Sequence, residues 1–279
     1  MTPPDLQAYY DSTRFDYRFI WNGRGTRAIH FGFYDSQARQ HHAALENMNR
    51  VLADLAEIRP GERVLDAGCG WGSACFWLAR RRQARVTGIS LVQQQIRECQ
   101  RAAGRNDPAG LVDFEVADYS RTPFPEASFD VVWACESLCH TPRKVDFYRE
   151  AFRVLKPGGR LVLAEYIRTA RPAPPAHEAM LRAWLHPWAI PDLDTAGEHR
   201  AQAKSAGFVR YDLSDVTPNV RPSLRNLHAL SRQWLPLGRA LWALGLINTL
   251  RWNNALASIR QYEALQEGAW WYGMGLALK

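Results

Sequence analysis

The stretch RVLDAGCGWGSA, residues 63–74, restricts the fold of this chain more than any other part of it. An apolar run that reads as a strand breaks into three glycines at alternate positions, and a helix-forming stretch, SACFWLARRR, follows at once. Glycines so placed let the backbone turn through positive φ and approach another group closely. A strand feeding a helix through such a turn is half of a β–α–β unit, and the following segments repeat the pattern. ARVTGIS (84–90), LVDFEVAD (111–118), SFDVVWACES (128–137) and GRLVLAEYI (159–167) read as strands. VQQQIRECQRAAGR (92–105) reads as a helix, as does KVDFYREAFRVLKPGG (144–159), closed by its Pro-Gly-Gly. Strands alternating with helices predict an α/β fold with a parallel sheet covered on both faces.

Two regions stand outside the repeat. Residues 1–44 are aromatic-rich and precede the first strand. After the proline-rich RTARPAPPAHEAM comes a tryptophan-rich helical stretch, interrupted by a strand at GFVRYDLSDVT (207–217) and ended by another at GAWWYGMGLALK. The expectation is one domain over 1–279: a cap over 1–44, a cofactor-binding core over 45–170, and lid helices with the last strands over 171–279. Cap and lid should fold over the carboxyl edge of the sheet, where open α/β sheets bind ligands.

With 47% hydrophobic and 23% charged residues the chain is globular, not disordered. Its longest apolar run, ALWALGLINTL (240–250), is too short for a membrane span and is followed by Arg251. Prolines, acids and arginines stand at the N-terminus where a signal peptide would be apolar, which predicts a cytoplasmic protein. Five scattered cysteines suit reduced thiols. Cys135, Cys139 and His140 are of metal-ligating type but lack a second pair at zinc spacing, so no metal site is expected. The net charge of +7 is mostly arginine. Its densest run, ARRRQAR (79–85), falls at the end of the helix after the glycines, where cations complement the helix dipole. It reads as a solvated helix end, not a binding patch.

Gly68, Gly70 and Gly72 are spaced G-x-G-x-G, with Asp66 two residues ahead. The dinucleotide fingerprint needs its last glycine where Ser73 stands, which argues against a nicotinamide dehydrogenase. VLDAGCGWG instead resembles the first motif of class I S-adenosylmethionine-dependent methyltransferases. The resemblance implies a Rossmann-like, seven-stranded, mostly parallel sheet and S-adenosylmethionine as cofactor. The loop from Asp66 through Cys69 to Gly72 would line the methionine portion. Asp118, with Tyr119 beside it, would meet the adenine, and Tyr34 the cofactor or the acceptor. VLKPGGRLVLAE resembles the family's turn into the fifth strand, so Pro157, Gly158 and Gly159 are structural. Most members end the second strand with an acid that grips the ribose; here Ser90 stands there. VTGISLVQQQI resembles the branch of sterol, tocopherol and cyclopropane-fatty-acid methyltransferases, in which Ser90 and Gln95 match and Val92 replaces a second serine.

YYDSTRFDYRFIW and RAIHFGFYD (27–35) resemble the aromatic cap of the sterol and tocopherol enzymes, which implies a small lipophilic acceptor. Nucleic acid is not expected, because no Asp/Asn-Pro-Pro-Tyr motif and no separate basic domain occur. Two chemistries stay open. An alkene carbon becomes a carbocation, which aromatic faces stabilise until a base removes a proton; a hydroxyl or amine needs a general base. Carbon methylation of a terpenoid-like acceptor, prenyl diphosphate included, is the leading expectation. O- or N-methylation of an aromatic natural product is the alternative, and a non-catalytic cofactor-binding module is the remote one. Glu136 follows the fourth strand and Glu165 ends the fifth, so both are candidate bases. Glu165 is preferred for its neighbours Tyr166 and Ile167, with His140 and His30 behind. Trp184 and Trp188 would line a greasy pocket. Arg24, Arg27, Arg182, Arg200 and Arg225 would clamp a diphosphate, and only then would Mg²⁺ be needed.

Overall fold

The computed structural model describes residues 9–10, 26–107 and 109–279. Strands β1 (Arg63–Ala67), β2 (Arg85–Ser90), β3 (Val112–Val116), β4 (Phe129–Cys135), β5 (Leu155–Arg168), β6 (Arg210–Asp215) and β7 (Trp270–Leu278) form one sheet. Their order is β3-β2-β1-β4-β5-β7-β6. The pairs among β1 to β5 are parallel, and β7 runs antiparallel to both β5 and β6. The seven-stranded, mostly parallel sheet implied above is therefore present.

Burial explains why these segments read as unbroken apolar runs. Alternate residues of one strand enter opposite cores: Val131 and Trp133 join one cluster, Val132 and Ala134 the other. Helices α1 (His41–Leu55), α2 (Ser73–Arg82), α3 (Gln93–Asn106) and α4 (Lys144–Val154) accompany the parallel strands. The lid region supplies α5 (Pro175–Leu185), α6 (Ala196–Ala206), α7 (Thr217–Ala243) and α8 (Thr249–Gln266). Thr195 and Glu198 start α6 with a reciprocal capping box. Both α5 and α7 pack on α8. The Arg168 guanidinium, buried at the end of β5, reaches Glu178 of α5 and, at 3.0 Å, Asp192, so the lid is tied to the carboxyl edge of the sheet.

One boundary differs from the sequence expectation. The helix expected over 144–159 stops at Val154, and Leu155 is already extended (φ −71°, ψ 138°). Pro157 disfavours helical backbone at Lys156, so Lys-Pro-Gly-Gly enters β5 instead of closing the helix.

The glycine loop is sterically committed. Gly68 has φ 98°, and a Cβ there would lie 2.4 Å from Ser137 Cβ. Gly61 has φ 81° with nothing within 4 Å of a Cβ. In urea unfolding, Gly61→Ala should lose about 1 kcal/mol from backbone strain alone. Gly68→Ala should lose at least about twice that, because a buried clash is added.

Candidate active site

The chain turns at the carboxyl ends of β1, β2 and β4 to form a slot. Gly68, Gly70 and Gly72 all take positive φ (98°, 52° and 78°), and Gly72 is the N-cap of α2. Residues 26–31 lie across this loop. Arg27 Nε donates to Trp71 O at 2.7 Å, Ser73 Oγ donates to Thr26 O at 3.0 Å, and Ile29 packs where a Gly70 side chain would stand. Asp66, Gly68, Cys69, Gly70, Ser90 and Gln95 line the slot. Tyr119, Trp133 and Ser137 line it too, and Tyr119 OH donates to Ser137 O at 2.8 Å.

The polar atoms around the slot are unevenly satisfied. Ser90 Oγ donates to Gln95 Oε1 at 2.9 Å, while Gln95 Nε2 is buried without a partner. Trp133 Nε1 and His30 Nε2 are likewise buried and unpartnered. His30 Nδ1–H donates to Phe31 O at 2.9 Å, which leaves Nε2 as a lone pair facing the slot. Burial pushes the Asp66 carboxyl up to about 7 and pulls His30 down to about 4. Buried polar atoms at this density ask for a ligand with both acceptors and donors.

A second cavity, of about 600 Å³, opens between the lid and the sheet. Leu227, Leu230, Trp234, Leu241, Ile247 and Trp252 of the lid supply its apolar walls. Glu136, His140 and Tyr166 form its polar floor. Tyr10, Ile29, Glu136 and His140 line both cavities and mark their junction.

At that junction Glu136 collects three donors. Phe31 N and Tyr272 OH each reach Oε1 at 2.7 Å, and Tyr166 OH reaches Oε2. Glu136 itself has φ 52°, a backbone position that side chains rarely adopt. Burial raises its carboxyl to about 7, against the pull of these donors. His140 ends the 3₁₀ turn Leu138–His140. Its Nδ1–H donates to Ala189 O at 3.3 Å, so Nε2 is a lone pair, met by Tyr10 OH at 3.5 Å. Burial lowers His140 to about 4 and keeps it neutral near pH 7.

Several sequence candidates stand elsewhere. Glu165 lines neither cavity: it is 1% exposed, and its oxygens accept from Tyr166 N at 2.8 Å and Cys139 N at 2.9 Å. Strand neighbours point to opposite faces, so Tyr166 reaches the cavity and Glu165 braces the turn that carries His140. Trp188 lines the large cavity, whereas Trp184 is wholly buried among Tyr166, Trp188 and Trp270. Asp118 is exposed and caps Ser120 N at 2.8 Å, outside the slot. Tyr34 contacts His41 and Asn226 beside a surface hollow that Arg225 also borders. Arg182 and Arg200 are exposed on α5 and α6, Arg27 is at the slot, and Arg24 lies outside the described residues. Sequence reasoning missed Tyr10, Ile29, Trp133 and Arg251. Trp133, a large ring near the carboxyl end of a Val-Ala strand, was the one with a usable signal. Among the described residues no group of three or more His, Cys, Asp or Glu could hold a metal ion, and no helix is long and apolar enough to cross a membrane.

This arrangement is that of a methyltransferase, and the comparisons with known proteins agree. The profile of a family described as "Methyltransferase domain" matches residues 65–163. The 27-O-demethylrifamycin SV methyltransferase of Amycolatopsis mediterranei is 34% identical over 80% of each chain. The 24-methylenesterol C-methyltransferase 2 of Oryza sativa subsp. japonica is 32% identical over 74% of this chain and 56% of its own. Among solved structures, the geranyl diphosphate C-methyltransferase of Streptomyces coelicolor A3(2), in complex with Mg²⁺, geranyl diphosphate and S-adenosyl-L-homocysteine, has the same fold. Its TM-score is 0.70 at 20% identity over 100% of this chain and 99% of that one. The chain belongs to the class I S-adenosylmethionine-dependent methyltransferases. Its slot fits that cofactor: Gln95 Nε2 and Trp133 Nε1 are unspent donors for hydroxyl and carboxylate oxygens, and Asp66 and His30 Nε2 are acceptors for an ammonium.

Glu165 offers a test of its bracing position by pH. Burial raises its carboxyl from 4.5 to about 7, so between those values the folded chain holds a proton that the unfolded chain has released. Its contribution to stability therefore falls as pH rises through that window and is level above it. Glu165→Gln should remove this slope. The difference in unfolding free energy between variant and wild type should shift in the variant's favour by about 3 kcal/mol from pH 4.5 to pH 7.5. An unchanged difference would mean that Glu165 is ionised throughout.

Proposed function

We propose that the protein methylates a hydroxyl oxygen on a neutral, lipophilic small molecule of several rings or a long chain. The carrying observation is the junction itself. His140, neutral and with Nε2 as a lone pair, borders both the cofactor slot and the large apolar cavity.

S-adenosylmethionine supplies, when bound, an electrophilic methyl group on its sulfonium. The loop Asp66–Gly72, Ser90, Gln95 and Trp133 would hold it, with residues 26–31 as the cover. The lid walls hold the acceptor's apolar body and exclude water, which leaves positioning as a large part of the catalysis. The acceptor hydroxyl would displace Tyr10 OH from His140 Nε2, and Nε2 would then take the hydroxyl proton. Glu136 is committed to Phe31, Tyr166 and Tyr272; it keeps the cap closed on the sheet and the two phenols oriented. A diphosphate head group is less well served. Of the arginines expected to clamp it, those within the described residues stand outside the large cavity, and Arg251 alone of that cavity's described lining carries a positive charge.

A second reading, methylation of an alkene carbon, draws on a different observation. The edges and faces of Phe31, Tyr166 and Tyr272 crowd Glu136, with ring centroids 5.8 to 6.4 Å apart. Such rings stabilise a carbocation, and Glu136 would then take the proton.

Labelled cofactor, offered with hydroxylated polyketides and phenols, a sterol, squalene, and geranyl diphosphate with and without Mg²⁺, separates the two by the position of the new methyl. For a hydroxyl acceptor, His140→Asn should lower kcat by about 10²-fold or more, with KM for the cofactor unchanged. Glu136→Gln should act mainly on stability. A carbon-bound methyl, lost in Glu136→Gln and retained in His140→Asn, would replace the first reading by the second.

A further inference from the structure

The large cavity does not end inside the lid. Its wall residues Trp234 and Leu237 are 56% and 48% exposed, so the lining runs out onto the surface of the α7–α8 hairpin. The turn beyond them projects Leu244 and Leu246, 72% and 67% exposed, on either side of Gly245 (φ 70°). Trp242 stacks on Trp252 at the flank, with ring centroids 5.9 Å apart. Large apolar side chains grouped on a surface mark an interaction site.

Charge narrows the kind of partner. From Val216 to Tyr262 the chain contains no Asp or Glu, and it contains Arg221, Arg225, Arg232, Arg239, Arg251 and Arg260. Arg260 is paired with Glu263 at 3.6 Å, at the foot of the hairpin. Arg232 and Arg239 are exposed nearer the tip. Leucines at a tip, with tryptophans and arginines interleaved along the helix behind it, match a bilayer interface with anionic head groups.

We propose that the tip of the α7–α8 hairpin docks on an anionic membrane surface, and that the acceptor enters the cavity from the bilayer between Trp234 and Leu237. Docking stands on the hairpin alone; the entry route also rests on the lipophilic acceptor proposed above.

Flotation of the full chain with phosphatidylcholine vesicles, with and without about one third phosphatidylglycerol, tests the docking. Binding should need the anionic lipid and weaken about tenfold as salt rises from about 0.1 M to about 1 M, where the Debye length falls from ~10 to ~3 Å. The double variant Leu244→Ser, Leu246→Ser should bind about tenfold more weakly even at low salt, since burial of those side chains is lost. Arg232→Gln with Arg239→Gln should lower binding and flatten its salt dependence. Because Leu244 and Leu246 lie outside the cavity, the serine variant should turn over a detergent-dispersed acceptor at the wild-type rate. A wild-type chain that does not float with anionic vesicles at low salt overturns the proposal and points to an acidic protein partner. So does a leucine variant that floats like the wild type. Vesicle binding without oxygen methylation would leave the docking standing and remove the acceptor chemistry; methylation without vesicle binding would do the reverse.

Discussion

The structure hangs on one half-buried carboxylate. Glu136 stands at the end of β4 in a strained backbone position and accepts from Phe31 N in the cap, Tyr166 OH on β5 and Tyr272 OH on β7. Tyr166 and Tyr272 are cross-strand partners in the antiparallel pair, which brings both phenols to the same oxygen pair. A buried carboxylate without donors would cost several kcal/mol; with three, it becomes a clamp that fixes where the cap closes. The same segment carries Ile29, two residues before Phe31, over Gly70, so this side of the junction inherits its geometry from Glu136.

Around that junction burial shifts ionisable groups towards their neutral forms. His30 and His140 are both pulled down to about 4 by burial, and Asp66, Glu136 and Glu165 are pushed up to about 7. The common cause is burial, which disfavours the charged form. Unpartnered donors gather at the slot, while the lid's share of the large cavity is mostly apolar. The two cavities follow the fold, one at the sheet's carboxyl edge and the other walled largely by the α7–α8 hairpin.

The sequence by itself determined the sheet and the loop. Strands covered on both faces are mostly apolar, so β1, β2, β4 and β5 announce themselves as short apolar runs broken only near their ends. Positive φ at Gly68, Gly70 and Gly72 is a local demand, legible wherever glycines alternate after a strand. Ser90 and Gln95 are close in sequence, and their hydrogen bond follows from a strand end leading into a helix start. Only the tertiary structure showed that Glu136 lines the cavities and Glu165 does not. Both end strands, and the difference turns on which face of the sheet each side chain meets and on how far β5 runs before the lid. It alone placed Asp118 in solvent, took Tyr34 to a separate hollow and left Arg182 and Arg200 outside the cavity. Those positions depend on contacts between residues 100 and more apart in the chain, such as Phe31 with Glu136 and Tyr34 with Asn226. No local pattern encodes a meeting of that kind, because it is set by how the cap and the hairpin pack against an edge that neither of them forms.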